Sequence, residues 1–543
     1  YAHHLELGGR RIAFYEYLIH GVSLCRAIVT AKCPLGVSAT NRAYDRMSGK
    51  VVPNRARIIA GRVCRAVQIN MSRRYSNDPQ VNRSLRHSVR DGVSYSIMSG
   101  AGETYFAAYA LFLGATAAQV SLLAAAPPLL GALTQLLAAW LNARNGARRC
   151  LILAGAFMHA LTWFPIIWLP FFFPEHAVPV FIACIACYHG WIGLGAPLWG
   201  SLMGDLVPAR RRGRFFGWRN RLMSVTNFAA LIGAGFVLHF FELRDNTRLG
   251  FMLVFSLAAA ARLYSFYQLA RMHEPAPQTY PTPFPPLTGL WQRLRKSNFA
   301  YFSAYIAIMG FGVGVAAPFF TVYMLQDLKF TYLQFTLATG TAVLVQFLTL
   351  GLWGRLADTF GNRVILAIAG SAIPLLPALW LVSSSFWYIL LVEALSGVCW
   401  AAFGLAAFNY LYDIVPRERR ASYWAIHNLF NSTGTFVGAL IGATIVSHTP
   451  SVVRVLGHVV DWGTTLWAVF LVSFALRALV AVWFIPRIEE VRAVRPTTVR
   501  ELVFRVVRFG PLAGTALDMM GFGRRQRRNA EAAAPPEPAP PSN

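Results

Sequence analysis

Glu103 stands out among the residues that could do chemistry, because it lies inside a long apolar stretch, YSIMSGAGETYFAAYALFLGA at 95–115. A carboxylate in the middle of a bilayer-length helix costs about 2.5–3.5 kcal/mol on insertion scales, so it must face a polar cavity or a partner. Reversible protonation of Glu103, or its pairing with a charged solute, is the chemistry that such a position suggests. A structural hydrogen bond to a neighbouring helix is the plainer alternative. Glu393 sits nearer the end of another apolar stretch, where water reaches it, and suits either role. His189, Gln135, Asn227 and Asn431 are further polar candidates for a cavity wall or for hydrogen bonds between helices. His189 closes a C-x-x-C-x-H string with Cys184 and Cys187. Without a second ligand group, no metal site is expected there. Arg262 and Arg477 lie deep in two more apolar stretches and read as structural, with long side chains that can reach for the interface.

A second set of charges lies between the apolar stretches. Asp358 and Arg363 flank Gly361 in GRLADTFGNR (Gly354 to Arg363), while Asp205 precedes Arg212 and Asp413 precedes Arg420 at equal spacing. Such pairs can form when one side of a membrane protein closes and break when it opens, which biases a two-state equilibrium. A single exposed pair contributes only about 0–1 kcal/mol, so a working latch needs several. The plainer reading is that these charges only set topology.

The elements that must hold these residues follow from composition. Charged residues make up 13% of the 543 and hydrophobic residues 56%, with 39 Phe and 15 Trp. Soluble proteins carry roughly 25% charged residues, and a globule of this size could not wet its surface with so few. A formal charge of +27 would suggest nucleic acid in a soluble chain, but here the bases sit between apolar runs and report membrane topology. Seven scattered Cys supply neither a disulfide framework nor zinc spacing.

Apolar segments of bilayer length recur at 91–113, 119–141, 151–173, 179–203, 221–241, 250–270, 298–324, 332–353, 364–384, 386–411, 422–447 and 463–485. Each must be a helix, since hydrocarbon offers backbone amides no outside partner. The expected fold is therefore all-α with twelve transmembrane helices, numbered here as spans 1 to 12. The joints after the even spans hold Arg144, Arg148 and Arg149; Arg210, Arg211, Arg212, Arg214, Arg219 and Arg221; Arg271, Arg293, Arg295 and Lys296; Arg355 and Arg363; Arg417, Arg419 and Arg420. Those after the odd spans hold only Arg244, Arg248, Lys329 and Arg454. The positive-inside rule then puts the even joints and both termini in the cytoplasm. A Pro-rich joint at 271–297 divides the spans into bundles at 91–270 and 298–485. Residues 1–70 read as a basic extension, with Met71 as the expected start and 71–90 as a cytoplasmic lead-in. From 486 the chain reads as a basic, then Ala/Pro-rich cytoplasmic tail.

The two halves repeat each other. DLVPARRRGRFFGWRN (Asp205 to Asn220) aligns without a gap with DIVPRERRASYWAIHN (Asp413 to Asn428), and each is followed by LIGA, at 231–234 and 440–443. Arg262 in span 6 answers Arg477 in span 12. A parallel duplication of six helices implies a pseudo-two-fold axis along the membrane normal. Laying IMSGAGE (97–103) on IMGFGVG (308–314) sets Gly314 opposite Glu103, so the scaffold does not require the acid.

On these residues the chain resembles the major facilitator superfamily. GRLADTFGNR is similar to that family's G-x-L-A-D-x-x-G-x-R loop, whereas NARNGARR (Asn142 to Arg149) in the first half keeps Gly146 and the arginines but lacks the acid. The resemblance covers roughly 91–490 and implies secondary transport of a small molecule by alternating access, by a monomer in a bacterial inner membrane; protonation of Glu103 is the expected coupling event, and no nucleic-acid partner or cofactor is expected. The strings that mark sugar porters and many drug–proton antiporters do not occur. A transporter-like sensor or assembly factor is the alternative that the degenerate first loop and basic tail suggest. An embedded enzyme is disfavoured, since no nucleophile elbow, His/Asp cluster or nucleotide loop appears.

Overall fold

The computed structural model describes residues 75–208, 211–274, 297–415, 420–449, 452–455, 458–461 and 464–490. The extension at 1–70, most of the 271–297 linker, the tail beyond 490, and Arg210, Arg417 and Arg419 lie outside the described residues, as does the side chain of Arg420.

The chain crosses twelve times. Span 1 runs Pro79–Ala101 and, after a short break, Phe106–Phe112; span 2 is Ala117–Asn145. Span 3 comes in two pieces, Arg148–Leu161 and Trp163–Phe172, followed by spans 4 to 6 at Ala177–Leu206, Arg212–Glu242 and Thr247–Ala270. Spans 7 and 8 are Asn298–Val322 and Tyr332–Phe360; span 9 is Asn362–Ala372 with Leu375–Leu379. Spans 10 to 12 are Phe386–Ile414, Arg420–His448 and Leu466–Phe484. Among the described residues, eleven helical segments are long and apolar enough to cross a membrane. The twelfth crossing, span 1, begins in polar sequence. Asp78 caps it by accepting from the Gln80 amide at 2.7 Å, and Pro79 fits the first turn. The helix therefore starts well before the 91 expected from hydropathy, which sees the apolar run and not the cap.

The duplication extends to the caps. Thr116 with Gln119 and Thr331 with Gln334 form capping boxes that start spans 2 and 8. Gly146 (φ +61°) and Gly361 (φ +89°) end those same spans in a left-handed conformation that favours glycine. The LIGA strings fit the repeat less well. Spans 5 and 11 are unbroken helices, and the strings stand one residue out of register with the sixteen-residue match, so they occupy different faces. One element departs from the all-helical expectation. Between spans 11 and 12, Val452–Val455 and His458–Asp461 pair antiparallel with Val453 opposite Val460.

Large apolar side chains such as Trp387, Val482 and Phe172 point outward and are exposed, as a hydrocarbon solvent requires and water would penalise. The interior has three cores. One, on the side away from the arginine-rich joints, is continuous across both bundles, from Tyr105, Phe106, Phe181 and Phe255 to Phe319, Phe335, Trp380 and Phe470. The other two lie towards the arginine-rich side and stay within single bundles. One gathers Leu85, Ile152, Leu202 and Phe215; the other gathers Phe302, Trp353, Ile365 and Tyr410. Hydrogen bonds join the bundles in the far half: the Tyr105 hydroxyl with Thr336 Oγ1 at 2.8 Å, Ser121 Oγ to the Ala439 carbonyl at 2.7 Å, and the Tyr332 amide to Glu242 Oε2 at 3.2 Å. The molecule is seamed on one side and divided on the other.

Candidate functional site

Glu103 opens the break in span 1. After Gly102 the α-helix gives way to a single 3-10 turn, Glu103–Tyr105, before resuming at Phe106. The absence of a side chain at Gly102 lets the Trp163 indole of span 3 come within van der Waals range of the backbone, where a Cβ would collide. The broken helix turns the acid towards span 4. Ser99 Oγ donates to Glu103 Oε2, and the Tyr188 hydroxyl donates to Oε1 at 2.7 Å. Glu103 is half-buried and Tyr188 fully buried. Two donors on one carboxylate fit its ionised form.

Behind Tyr188 lies a polar network that the sequence did not reveal. The His159 ring of span 3 rests against the Tyr188 ring with centroids 3.9 Å apart. Arg262 Nε donates to His159 Nδ1 at 2.5 Å, and Arg262 Nη1 donates to Ser265 Oγ at 2.6 Å. Ser265 donates in turn to Asp91 Oδ1 at 2.7 Å. Arg219 of span 5 stands 3.6 Å from Asp91 Oδ2, donates to the Ser88 carbonyl, and lies over the Trp199 ring. Asp91, His159, Arg219 and Arg262 are all buried. Two acids and two guanidiniums thus share one bundle, and pairing offsets the desolvation that each would suffer alone. Arg262 is held inside the bundle and does not reach the interface as expected. Arg477 is buried as well, yet its partners are the Gly312 and Val313 carbonyls of span 7.

The other expected residues do not all converge. His189 meets the Tyr188 ring edge-on at 5.6 Å and so joins the Glu103 neighbourhood. Asn227 donates to the Ser96 carbonyl at 3.4 Å, and its own carbonyl lies against Gly100. Gln135 on span 2 is half-buried, as are Glu393 and Asn431 in the second bundle, and among the described residues none of the three bonds to Glu103. The glycine packing also corrects one alignment. Gly314 lies against the Thr435 carbonyl as Gly100 does against Asn227, and the loop repeat makes Asn227 and Thr435 equivalent. Gly314 therefore answers Gly100, and Ala317 stands where Glu103 does. The acid still has no counterpart.

At the arginine-rich side the charges pair differently from the expected scheme. Asp205 takes Arg148 at 2.6 Å, not Arg212, and Arg148 also holds Glu274 at 3.0 Å. Arg212 donates to the Val207 carbonyl at 3.1 Å and to that of Gly204. In the second bundle Asn362 donates to Asp413 Oδ2 at 2.9 Å, and the Arg363 amide donates to Glu490 Oε2 at 2.8 Å. Each cluster ties the start of span 3 or 9 to the end of span 4 or 10 and to the acid that follows span 6 or 12. Asp358 and the Arg363 side chain are exposed, and no ion pair joins them among the described residues. Gly354 and Gly361 flank this turn, Gly354 with open space around it apart from Leu405. Among the described residues no group of His, Cys, Asp and Glu could hold a metal ion.

The family model described as Major Facilitator Superfamily matches residues 92–322 and 302–523. No curated protein matches the chain by sequence. Among solved structures, the nucleoside transporter NupG superposes with a TM-score of 0.57 at 13% identity, covering 74% of this chain and 98% of that one. A D-xylose-proton symporter gives 0.55 at 16% identity, covering 76% and 98%. A bacterial homologue of the iron transporter ferroportin, in an inward-facing state, gives 0.55 at 14% identity, covering 74% and 98%. At these identities the likeness concerns the fold.

Proposed function

Since this chain belongs to the Major Facilitator Superfamily, we propose that it is a proton-coupled secondary transporter of a small organic solute, with Glu103 as the group that takes and releases the proton. The observation that carries this reading is the asymmetric core, continuous between the bundles on one side and split on the other. With the arginine-rich joints on the cytoplasmic side, the described conformation is cytoplasm-open, and rocking of the bundles about the far seam gives alternating access. The domain scheme then reads as two six-helix bundles around a cytoplasmic linker, with both chain ends in the cytoplasm of a bacterial cell.

Glu103 suits the coupling role because of what adjoins it. Two residues further on, the Tyr105 hydroxyl spans the seam to Thr336 and also reaches the Leu231 carbonyl. A proton on Glu103 turns one carboxyl oxygen from acceptor to donor. The hydrogen bonds of Ser99 and Tyr188 must then rearrange next to a turn that leads directly into the seam. On the cytoplasmic side, the Arg148–Asp205–Glu274 and Asn362–Asp413 clusters keep each bundle rigid while it rocks. Asp358, exposed in this conformation, is free to meet the other bundle when that side closes. Gly361, Arg363 and Arg212 shape the same rim, to which the loop repeat assigns Arg420.

The test has two stages. A screen for thermal shifts in the purified protein selects a solute, whose uptake is then measured in proteoliposomes with and without an imposed pH gradient. Wild-type uptake should follow the gradient, and Glu103→Gln should lose that dependence while retaining solute binding. Unchanged pH dependence in the variant removes Glu103 from coupling.

A further inference from the structure

We propose that His159 and Arg262 are positioning residues for Glu103: they seat the Tyr188 ring so that its hydroxyl is presented as a donor to the ionised carboxylate. This rests on the reading of Glu103 as the protonated group and extends it to spans 3, 4 and 6.

The geometry fixes who gives and who takes. Arg262 can only donate, so the His159 Nδ1 that it meets at 2.5 Å must accept, and the imidazole is neutral with its proton on Nε2. Among the described residues His159 Nε2 is buried without a hydrogen-bond partner. A buried N–H left unmet is costly, so the ring is held by its Arg262 bond and by its contact with Tyr188, and not by satisfaction all round. Arg262 is itself fixed by Ser265, which Asp91 orients, and by the Tyr95 ring beneath its guanidinium. Asp91 is shared with Arg219. The line of contact therefore runs from the Asp91–Arg219 pair through Arg262 and His159 to Tyr188, and ends on Glu103.

Tyr188 has a fallback. Its hydroxyl lies 3.3 Å from Met98 Sδ as well as 2.7 Å from Glu103 Oε1. When Glu103 takes a proton, Tyr188 can turn its own proton to the weak sulfur acceptor and receive one from the acid. No new donor is needed and none is stranded. The ring must stay in place for this exchange, and His159 holds it there. The charged or titratable groups around Glu103 are Tyr95 on its own helix, Tyr188 and His189 on span 4, His159 on span 3 and Arg262 on span 6. Span 5, also packed on span 1, adds Arg219 beside Asp91. The second bundle contributes the neutral Thr336.

Protons alone serve as the probe, so the test needs no known solute. The protein is reconstituted in liposomes and titrated while the infrared band of the protonated carboxyl is followed, with Glu103 identified by the band lost in Glu103→Gln. Tyr188→Phe and His159→Gln should each move the midpoint of that band upward by about one pH unit, because a hydrogen bond to the charged form is lost or misdirected. Arg262→Lys should move it less than Arg262→Gln. Melting temperatures measured alongside identify any variant that fails to fold, and Tyr188→Phe, which keeps the ring and its packing, remains decisive. A Glu103 band whose midpoint is unchanged in Tyr188→Phe and His159→Gln overturns the positioning role and leaves Glu103 as the coupling group. The absence of any band that Glu103→Gln removes overturns the coupling reading, and the positioning role with it.

Discussion

The two bundles share a scaffold and differ in what they bury. At equivalent places in spans 6 and 12, Arg262 enters a network with His159, Ser265 and Asp91, whereas Arg477 is capped by two backbone carbonyls. Where span 1 carries Glu103, span 7 has Ala317. Where Asp91 receives Ser265, the second bundle offers Tyr305, whose buried hydroxyl has no partner among the described residues. Duplication supplied the same helices twice, and among the described residues the buried Asp91–Arg219 and Ser265–Arg262 network of the first copy has no counterpart in the second. The second bundle is the nearer guide to what the fold alone requires.

Breaking the two arginines separates these roles. Arg262→Ala leaves Asp91 buried with its Ser265 link adrift and should destabilise the protein by about 3–5 kcal/mol, the usual cost of removing one partner from a buried ionic set. Arg477→Met abandons two carbonyls but no charge, so a loss near 1 kcal/mol is expected. Unfolding in detergent measures both, and equal losses would mean that the first network is no more ionic in effect than the second.

Glycine substitutions sharpen the contrast between the close crossing of spans 7 and 11 and the open arginine-rich end of span 4. In Gly314→Ala the new methyl meets the Thr435 carbonyl, and in Gly438→Ala it meets that of Phe311. Each should cost about 1–3 kcal/mol through overpacking. Gly200 and Gly204, near the arginine-rich end of span 4, have open space around them, and alanine there should leave the unfolding free energy within about 0.5 kcal/mol of wild type or raise it. Sensitivity at Gly200 equal to that at Gly314 would mean that the two places are packed alike.

The smallest effect concerns Asp358. Because it is exposed, Asp358→Asn should change stability by less than about 0.5 kcal/mol. Labelling of cysteines introduced on the arginine-rich rim should nevertheless rise, if the carboxylate helps to close that side. Labelling equal to wild type would leave Asp358 with a topological role alone.

Much of the architecture was legible because a bilayer imposes simple lengths. Twelve apolar runs and the repeated D-x-V-P loops sufficed for spans and symmetry. The start of span 1 was hidden because its cap, Asp78 with Pro79, stands in polar sequence, and that concealment also hid Asp91. Glu103 was visible as an acid in an apolar run. Its partners were not, since Tyr188 and His159 look like ordinary aromatic and core residues until the fold sets them together. The Asp205–Arg212 pair was misassigned for a related reason. Spacing within one loop suggested Asp205 with Arg212, but the start of span 3 brings Arg148 closer, and Arg212 turns to its own loop's carbonyls.

The Tyr105–Thr336 contact has a consequence for how the halves part. Each hydroxyl also has a carbonyl of its own bundle within reach, Leu231 for Tyr105 at 2.8 Å and Tyr332 for Thr336 at 2.6 Å. When the far side opens, each proton can retire to its home acceptor. Separation there forfeits apolar contact but leaves no polar group orphaned, so under the proposed alternating access this weld can be undone and remade.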